Sequence, residues 1–530
     1  MRTVSSWIRV AAAVFGLAAC AGIDKDLAEL EGSEPVLLLE EQVIVDPSLS
    51  DEPFVLPPAN ANSQWAQTLG EADHALHHVD APADLKRAWR IKASSRKAKD
   101  APITSPPVVS NGKIFLIDSV ANVRAFDAVT GKRVWSSKLT PDTRERRRRR
   151  YNIFARSNPG YLGFGGGAAV EGNILFVTSG FGFVAALNID DGEVLWKVEA
   201  PGPLRNPPSL GEGLVIAVTI SNEVVALEQG TGTLVWSFES FEEPARFLAS
   251  AAPAVGPDGV IIPFSSGEVS SLASNNGRIQ WTAVISRTSR LNALSTLGDV
   301  AGSPVVDRGA VFAVTQSGQM TGIDARTGTV VWEQPVGGYH TPWLAGETLF
   351  VASNRNILTA VNRVDGRIRW TVQLDIYKND NNRKERIVWA GPVLAGSHLY
   401  LTSTIGDMIA VDPATGEIVD DYRLKDGATL PPIVADSMLY VLTEEGHIEA
   451  FDQLPEKQLR RKEAREAKER ARAEKERARD AKKAARAAEK EARAAEKAAR
   501  QAEADVEAQE RRRRGLRFWR RGRSSGEADN

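Results

Sequence analysis

The chain has 530 residues, 42% apolar and 25% charged, ordinary values for a globular protein of one large domain or several. Its near-neutral total of −2 hides a split: from Pro455 onward there are 26 Lys+Arg against 16 Asp+Glu. An acidic body therefore carries a basic tail, and the bulk charge identifies no partner.

In chain order, "MRTVSSWIRVAAAVFGLAAC" comes first: Arg2 and Arg9, then an apolar stretch from Val10 to Ala19. That stretch is too short to span a bilayer and reads as a secretory signal, residues 1–19. "LAAC" (17–20) resembles a bacterial lipobox, which makes Cys20, the only cysteine, the expected lipidation site. Acyl chains there would anchor the chain in lipid. Ala21 follows in place of the aspartate of inner-membrane retention, so the outer membrane, periplasmic face, is the expected location. No later segment is long and apolar enough for a transmembrane helix.

Residues 20–85 are acidic, carry "DPSLSDEPFVLPPANANS" (46–63) and show no sustained period, so they read as an extended tether. "HALHH" (74–78) brings no carboxylate or cysteine at ligand spacing and is read without a metal.

From about residue 86 to 454 the texture changes to repeats near 40 residues long. "SPPVVSNGKIFLIDSVANVRAFDAVTGKRVWSSKL" (105–139) parses as four short β-branched runs bounded by Asn, Asp and Gly. Gly131, Gly192, Gly232, Gly277, Gly328, Gly366 and Gly416 recur at one turn position, consistent with a left-handed backbone there. Four strands per unit at this period predict propeller blades. Seven units carry the turn glycine, and an eighth (433–452) stops before its last strand. "LKRAWRIKA" (85–93) supplies that strand, with Trp89 at the repeat position. The expected fold is all-β, an eight-bladed β-propeller of four-stranded antiparallel blades closed by an N-terminal strand. Trp89, Trp135, Trp196, Trp236, Trp281, Trp332 and Trp370 are spread round the ring, cannot share one pocket, and are read as blade-docking residues.

The pattern in "AFDAVTGKRVW" (125–135) resembles the tryptophan-docking repeat of the quinoprotein propellers. Within them, "LGDVAGSPVVDRGAVFAVTQSGQMTGIDARTGTVVWEQPVG" (297–337) is similar to the BamB family of outer-membrane barrel-assembly lipoproteins. The likeness includes the lipobox and the seventh repeat, "VDPATGEIVD" (411–420), which lacks the tryptophan. It implies a non-catalytic scaffold without cofactor or metal. The partners it implies are the central barrel-assembly subunit, other members of that complex, and outer-membrane lipid through Cys20. The quinoprotein dehydrogenases, the alternative branch, carry adjacent cysteines and calcium-binding oxygens, and neither pattern is present. No H-E-x-x-H, G-x-S-x-G, P-loop or zinc spacing occurs either.

Excess length falls after each repeat tryptophan, in 140–160, 240–253, 286–304 and 375–392, connections that crowd onto one propeller face and read as binding loops. The family's contact segments match 245–253 and 296–306. Asp299 stands at an acidic contact position, Phe247 where an aliphatic contact is usual, and Leu248 where the family has arginine. Arg246 lies two residues before Leu248, and Ala301 replaces a second aspartate. "RERRRRR" (144–150) reads as a solvated loop.

The tail has no counterpart in the resemblance. Residues 455–510 are nearly all Ala, Glu, Lys and Arg with charge pairs three or four apart, which predicts a solvated single helix. "RRRRGLRFWRRGR" within 511–530 suits an anionic surface such as lipid headgroups or cell-wall polymer. A tethering protein acting through this tail is therefore a second alternative. Nucleic acid is excluded by the periplasmic setting.

Overall fold

The computed structural model describes residues 43–50, 52–94, 103–141, 163–240, 251–285, 299–379 and 382–455, with isolated positions beyond. Short β-branched runs separated by turn residues leave each repeat one local solution, an antiparallel meander. In blade 1 the strands are Val108–Ser110, Lys113–Ile117, Asn122–Asp127 and Arg133–Lys138, hydrogen-bonded in that order. Asn111 and Gly112, both at positive φ (50° and 66°), make the two-residue hairpin between the first two strands. The "DAVTG" turn is set differently: the Asp127 carboxylate accepts from Thr130 N and Thr130 Oγ1 at 2.7 and 2.6 Å. Those bonds hold its pKa below the usual carboxylate value. Asp324 and Thr327 repeat the arrangement. A register shift at Ala125/Phe126 lets the turn follow a bulge, and all seven glycine-bearing blades have it at the matching place.

The same meander recurs as blades 2 to 7 over 166–199, 209–239, 254–284, 305–334, 343–373 and 389–423, giving an eight-bladed propeller with the last sheet. That sheet runs from Ile433–Ala435 through Met438–Leu442 and His447–Gln453 to Leu85–Lys92 at its outer edge. A small hairpin, Tyr377–Asn379 with Lys384–Arg386, decorates the connection between blades 6 and 7. The chain divides into two compact units, Met1–Ala81 with Ala88–Ala450, and Pro82–Arg87 with Phe451–Asn530. In the smaller one, Leu454 N donates to Asp84 O at 2.9 Å and Arg87 lies over the Phe451 ring. Apart from isolated positions, the helix expected over 455–510 and the basic stretch of 511–530 lie outside the described residues, as do the arginine run 144–150 and Cys20.

The apolar core is divided into slabs between neighbouring blades, from blades 1 and 2 round to blades 5 and 6. At each such seam a repeat tryptophan reaches into the next blade. The indole N–H groups of Trp135, Trp196, Trp236, Trp281, Trp332 and Trp370 donate to Ile189, Gln229, Ser274, Ala325, Arg363 and Pro413 carbonyls at 2.6–3.1 Å. Trp89 occupies the matching place before blade 1: its ring lies 5.9 Å from that of Tyr440 and against Gly131. The Ala128 carbonyl, which corresponds to those six acceptors, is met by the Tyr440 hydroxyl at 3.3 Å.

The tether expected over 20–85 is corrected for 43–81, which pack on the propeller. Trp65, Leu49 and Val79 are among the most buried side chains. The reason lies in the innermost strands, whose free edges face the axis and offer unpaired backbone groups. Trp65 and Val109 exchange both backbone bonds, at 2.7 and 2.9 Å, and equivalent strands in other blades bind neighbouring residues of the same segment. The histidines of "HALHH" take separate structural places in it. His74 Nδ1–H donates to Pro304 O at 2.7 Å, and His77 accepts from Gly346 N at 3.2 Å. His78 pairs through Nδ1 with Pro57 O and accepts at Nε2 from Ser397 N.

Candidate partner interface

Antiparallel four-stranded blades bring every connection from an outermost strand to the next innermost strand onto one face. There the chain approaches the axis through a small or polar residue followed by proline, as in Asn206-Pro207, Ala252-Pro253, Ser303-Pro304 and Thr341-Pro342. Proline fixes φ and removes an N–H that the turn toward the axis would leave unpaired. The polar partners then tie one lead-in to the next. Thr178 Oγ1 donates to Asn206 O at 2.6 Å, and Asn206 Nδ2 to Ala251 O at 3.0 Å. Ala252 N donates to Ser303 Oγ at 2.9 Å, and Ser303 N to Thr341 Oγ1 at 2.8 Å. The belt is largely buried, so these bonds fix lead-in positions across blades 2 to 6.

The Ala252–Ser303 bond brings together the two segments singled out in the sequence, 245–253 and 296–306. Of the predicted contacts, Arg246, Phe247 and Leu248 lie outside the described residues. Asp299 is described and is 1% exposed, so its carboxylate faces the protein interior rather than solvent. Its carbonyl accepts from Gln316 N at 3.1 Å, which holds the start of the blade 5 lead-in against the second strand's turn. Ala301 is buried beside it. The described part of the region is thus buried and tied together by the Ala252–Ser303 and Gln316–Asp299 bonds.

At the centre of the belt lies a funnel of about 250 Å³, lined by Thr104, Ser303, Gln316, His340 and Pro431 among others, with Trp65 of the segment packed on the innermost strands also in its wall. Trp65 is 2% exposed and stacks on Trp343, centroids 6.1 Å apart at 18°. No carboxylate, lysine or arginine is among the described lining residues. A divalent cation with an anionic quinone needs such groups, so this lining does not fit that cofactor.

The docking tryptophans stand apart from this face, in the seams between blades. Sequence reasoning missed Trp65, Asn206, Ser303 and Thr341. A signal for the last three was present, a polar residue before proline just ahead of each innermost strand. Trp65 carried none, because it lies outside the repeat. On the outer circumference Val134, Leu195, Val235, Ile279, Val331 and Ile418 are exposed on outermost strands.

A family model described as outer membrane protein assembly factor BamB matches residues 70–151, 121–372 and 378–497. The chain is 27% identical over 343 residues to the protein of that name from Shewanella oneidensis, covering 64% of this chain and 82% of the relative. It is 25% identical over 347 residues to the one from Yersinia pestis, covering 65% and 83%. Among solved structures, BamB from Moraxella catarrhalis aligns with a TM-score of 0.54 at 18% identity, covering 71% of this chain and 99% of that one. A europium-containing methanol dehydrogenase aligns with a TM-score of 0.55 at 13% identity, covering 76% and 99%. At these identities the structural likenesses show the fold alone.

Proposed function

The chain belongs to the family of outer membrane protein assembly factor BamB, and on that premise we propose that it is a non-catalytic scaffold of outer-membrane barrel assembly. It docks to the central barrel-assembly subunit through the lead-in face and is held at the periplasmic side of the outer membrane by an acylated Cys20. The observation that carries this reading is the family match across the propeller repeats. The belt that ties Ala252 to Ser303 supports the location of the docking face, since it fixes together the bases of two connections absent from the minimal repeat. Arg246, Phe247 and Leu248 supply the contacts in this reading. Buried Asp299 acts by setting the path of the lead-in. We further read Leu85–Lys92 as the strand that closes the ring, and 455–510 as a solvated helix carrying a basic contact for anionic lipid or cell-wall polymer. The exposed outermost strands offer edges to unfolded clients.

The test is a crosslinking pull-down from intact envelopes. Phe247→Ala together with Arg246→Ala is expected to lower recovery of the barrel subunit at least about tenfold, since interface energy concentrates in few residues. Undiminished recovery with a correctly folded double variant would sink the docking assignment.

A further inference from the structure

We propose that residues 43–80 are a mounting strap. It seals the axial opening on the hairpin face and carries the N-terminal anchor out to the rim of blade 6, holding that rim to the lipid surface. The inference rests on the reading of Cys20 as the lipid anchor.

The strap meets all eight blades in ring order. Asn62 accepts from Asp436 N at 2.8 Å in blade 8, Trp65 pairs with Val109 in blade 1, and Ala66 accepts from Val170 N at 2.8 Å in blade 2. The Gln67 side chain bonds both backbone groups of Leu210 in blade 3. Ala72 and Asp73 accept from Val255 N and Val306 N, at 2.7 and 2.9 Å, in blades 4 and 5. The His77 carbonyl takes the Trp343 indole N–H at 2.7 Å in blade 6, and Val79 accepts from Gly396 N at 2.9 Å in blade 7. The loop then closes on itself, with Asn60 N bonded to His78 O at 2.8 Å and Asp80 N to Asn60 O at 2.9 Å. In seven blades the partner is the same register position of the innermost strand or the turn just after it. This is a fitted part, since a passing linker has no reason to keep that register.

From Asn60 the chain toward the N-terminus runs outward over blade 6 and is fastened along the way. Phe54 meets Phe350 edge-on at 6.4 Å and lies under the Arg369 guanidinium at 5.7 Å. Arg369 Nη1 donates to the Leu49 and Glu52 carbonyls, both at 2.9 Å. Asp46 N donates to Ile368 O at 2.9 Å, and Val45 bridges Ile368 in parallel. Ile368–Gln373 is the outermost strand of blade 6.

The consequence is a shorter leash. Among the described residues Val43 is the first that packs on the blades, which leaves at most 21–42 between it and Cys20, where an unbound segment would leave 21–84. At ~3.4 Å per extended residue the anchor reaches at most about 75 Å from the blade 6 rim, against about 220 Å. A short tether fixed at one point of a rim favours that sector for contact with the anchoring surface.

Val364 and Val129 occupy the same turn position in blades 6 and 1 and are 65% and 70% exposed. In the full chain in its native envelope, a benzophenone side chain at Val364 is expected to crosslink lipid about threefold more than one at Val129. Asp46→Pro with Arg369→Ala releases the rim segment, leaves the 60–80 circuit intact, and is expected to bring the two sites level while the thermal midpoint of the ring is kept. Equal labelling in the acylated native protein overturns the strap inference alone, as does an unchanged preference in the released variant. Absence of acyl label on Cys20 overturns the anchor reading and this inference with it.

Discussion

The Trp332 indole lies flat against Gly366 of the next blade, so close that a Cβ on Gly366 would fall 2.7 Å from Cε3. Gly366 also sits at φ +75°. The turn glycine is therefore required twice, once by its own backbone and once by its neighbour's side chain. The pairing repeats round the ring: Gly131, Gly192, Gly232, Gly277, Gly328 and Gly416 each face the tryptophan of the preceding blade.

Gly366→Ala is expected to cost about 2–3 kcal/mol from the left-handed backbone and the close contact. Trp332→Ala is expected to cost about 3–5 kcal/mol as a truncated buried aromatic. Removing the indole relieves the contact, so the double variant should lose less than the two single losses together. Thermal unfolding of the four proteins checks this, and strict additivity would contradict direct packing.

Trp65→Ala should loosen the strap, because the indole in the funnel wall also stacks on Trp343. A loss of about 3–5 kcal/mol is expected at this buried site. Limited proteolysis should then cut within 52–81 before any blade is cleaved. Resistance of that segment equal to the native protein's would argue that the backbone bonds hold it without Trp65.

Burial pushes His74 down to about 4 from an ordinary value of 6.5. Its Nδ1–H donates to Pro304 O, a bond that favours the charged ring, but the loss of hydration at this buried site outweighs it and keeps the ring neutral. Because the folded state binds this proton less readily than the unfolded chain, the contribution is fully present above about pH 6.5. It is lost progressively as pH falls toward 4, by about 3 kcal/mol at the lower end. His74→Asn keeps a donor near the Nδ1 position and should flatten the melting temperature over pH 6.5 to 4.5. An unchanged slope would assign acid sensitivity to other groups.

Ser303→Ala removes the acceptor of the Ala252 N–H, leaving a buried donor unpaired at about 1–3 kcal/mol. Amide exchange at Ala252 should quicken by one to two orders of magnitude, corresponding to that loss. Recovery of the barrel subunit should fall in parallel if the belt positions the docking connections. Quickened exchange with full recovery would separate the belt from docking.

The repeat was legible because it is local. "DAVTG" specifies its turn through Asp127 and Thr130, three residues apart, and the alternation of Arg133–Lys138 places Trp135 on the packed side. Such short-range chemistry needs no knowledge of neighbours, and the blade count followed from repetition. Asp299 shows where this stops. Its position in the segment proposed for docking was readable, but its burial, with its carbonyl bonded to Gln316 N, depends on where blade 5 places the turn after its second strand.

By itself, then, the sequence determined the strands, the turns, the blade number and the tryptophans' place in the repeat, all of which depend on contacts within about forty residues. Only the tertiary structure decided the fate of 43–81, a stretch with the proline-rich, aperiodic look of a linker. Its partners are the free edges of innermost strands up to 374 residues away, such as Asn62 with Asp436. Those edges come into register only when the eight blades stand side by side. A segment that owes so many of its hydrogen bonds to distant parts of the chain has no period of its own to read.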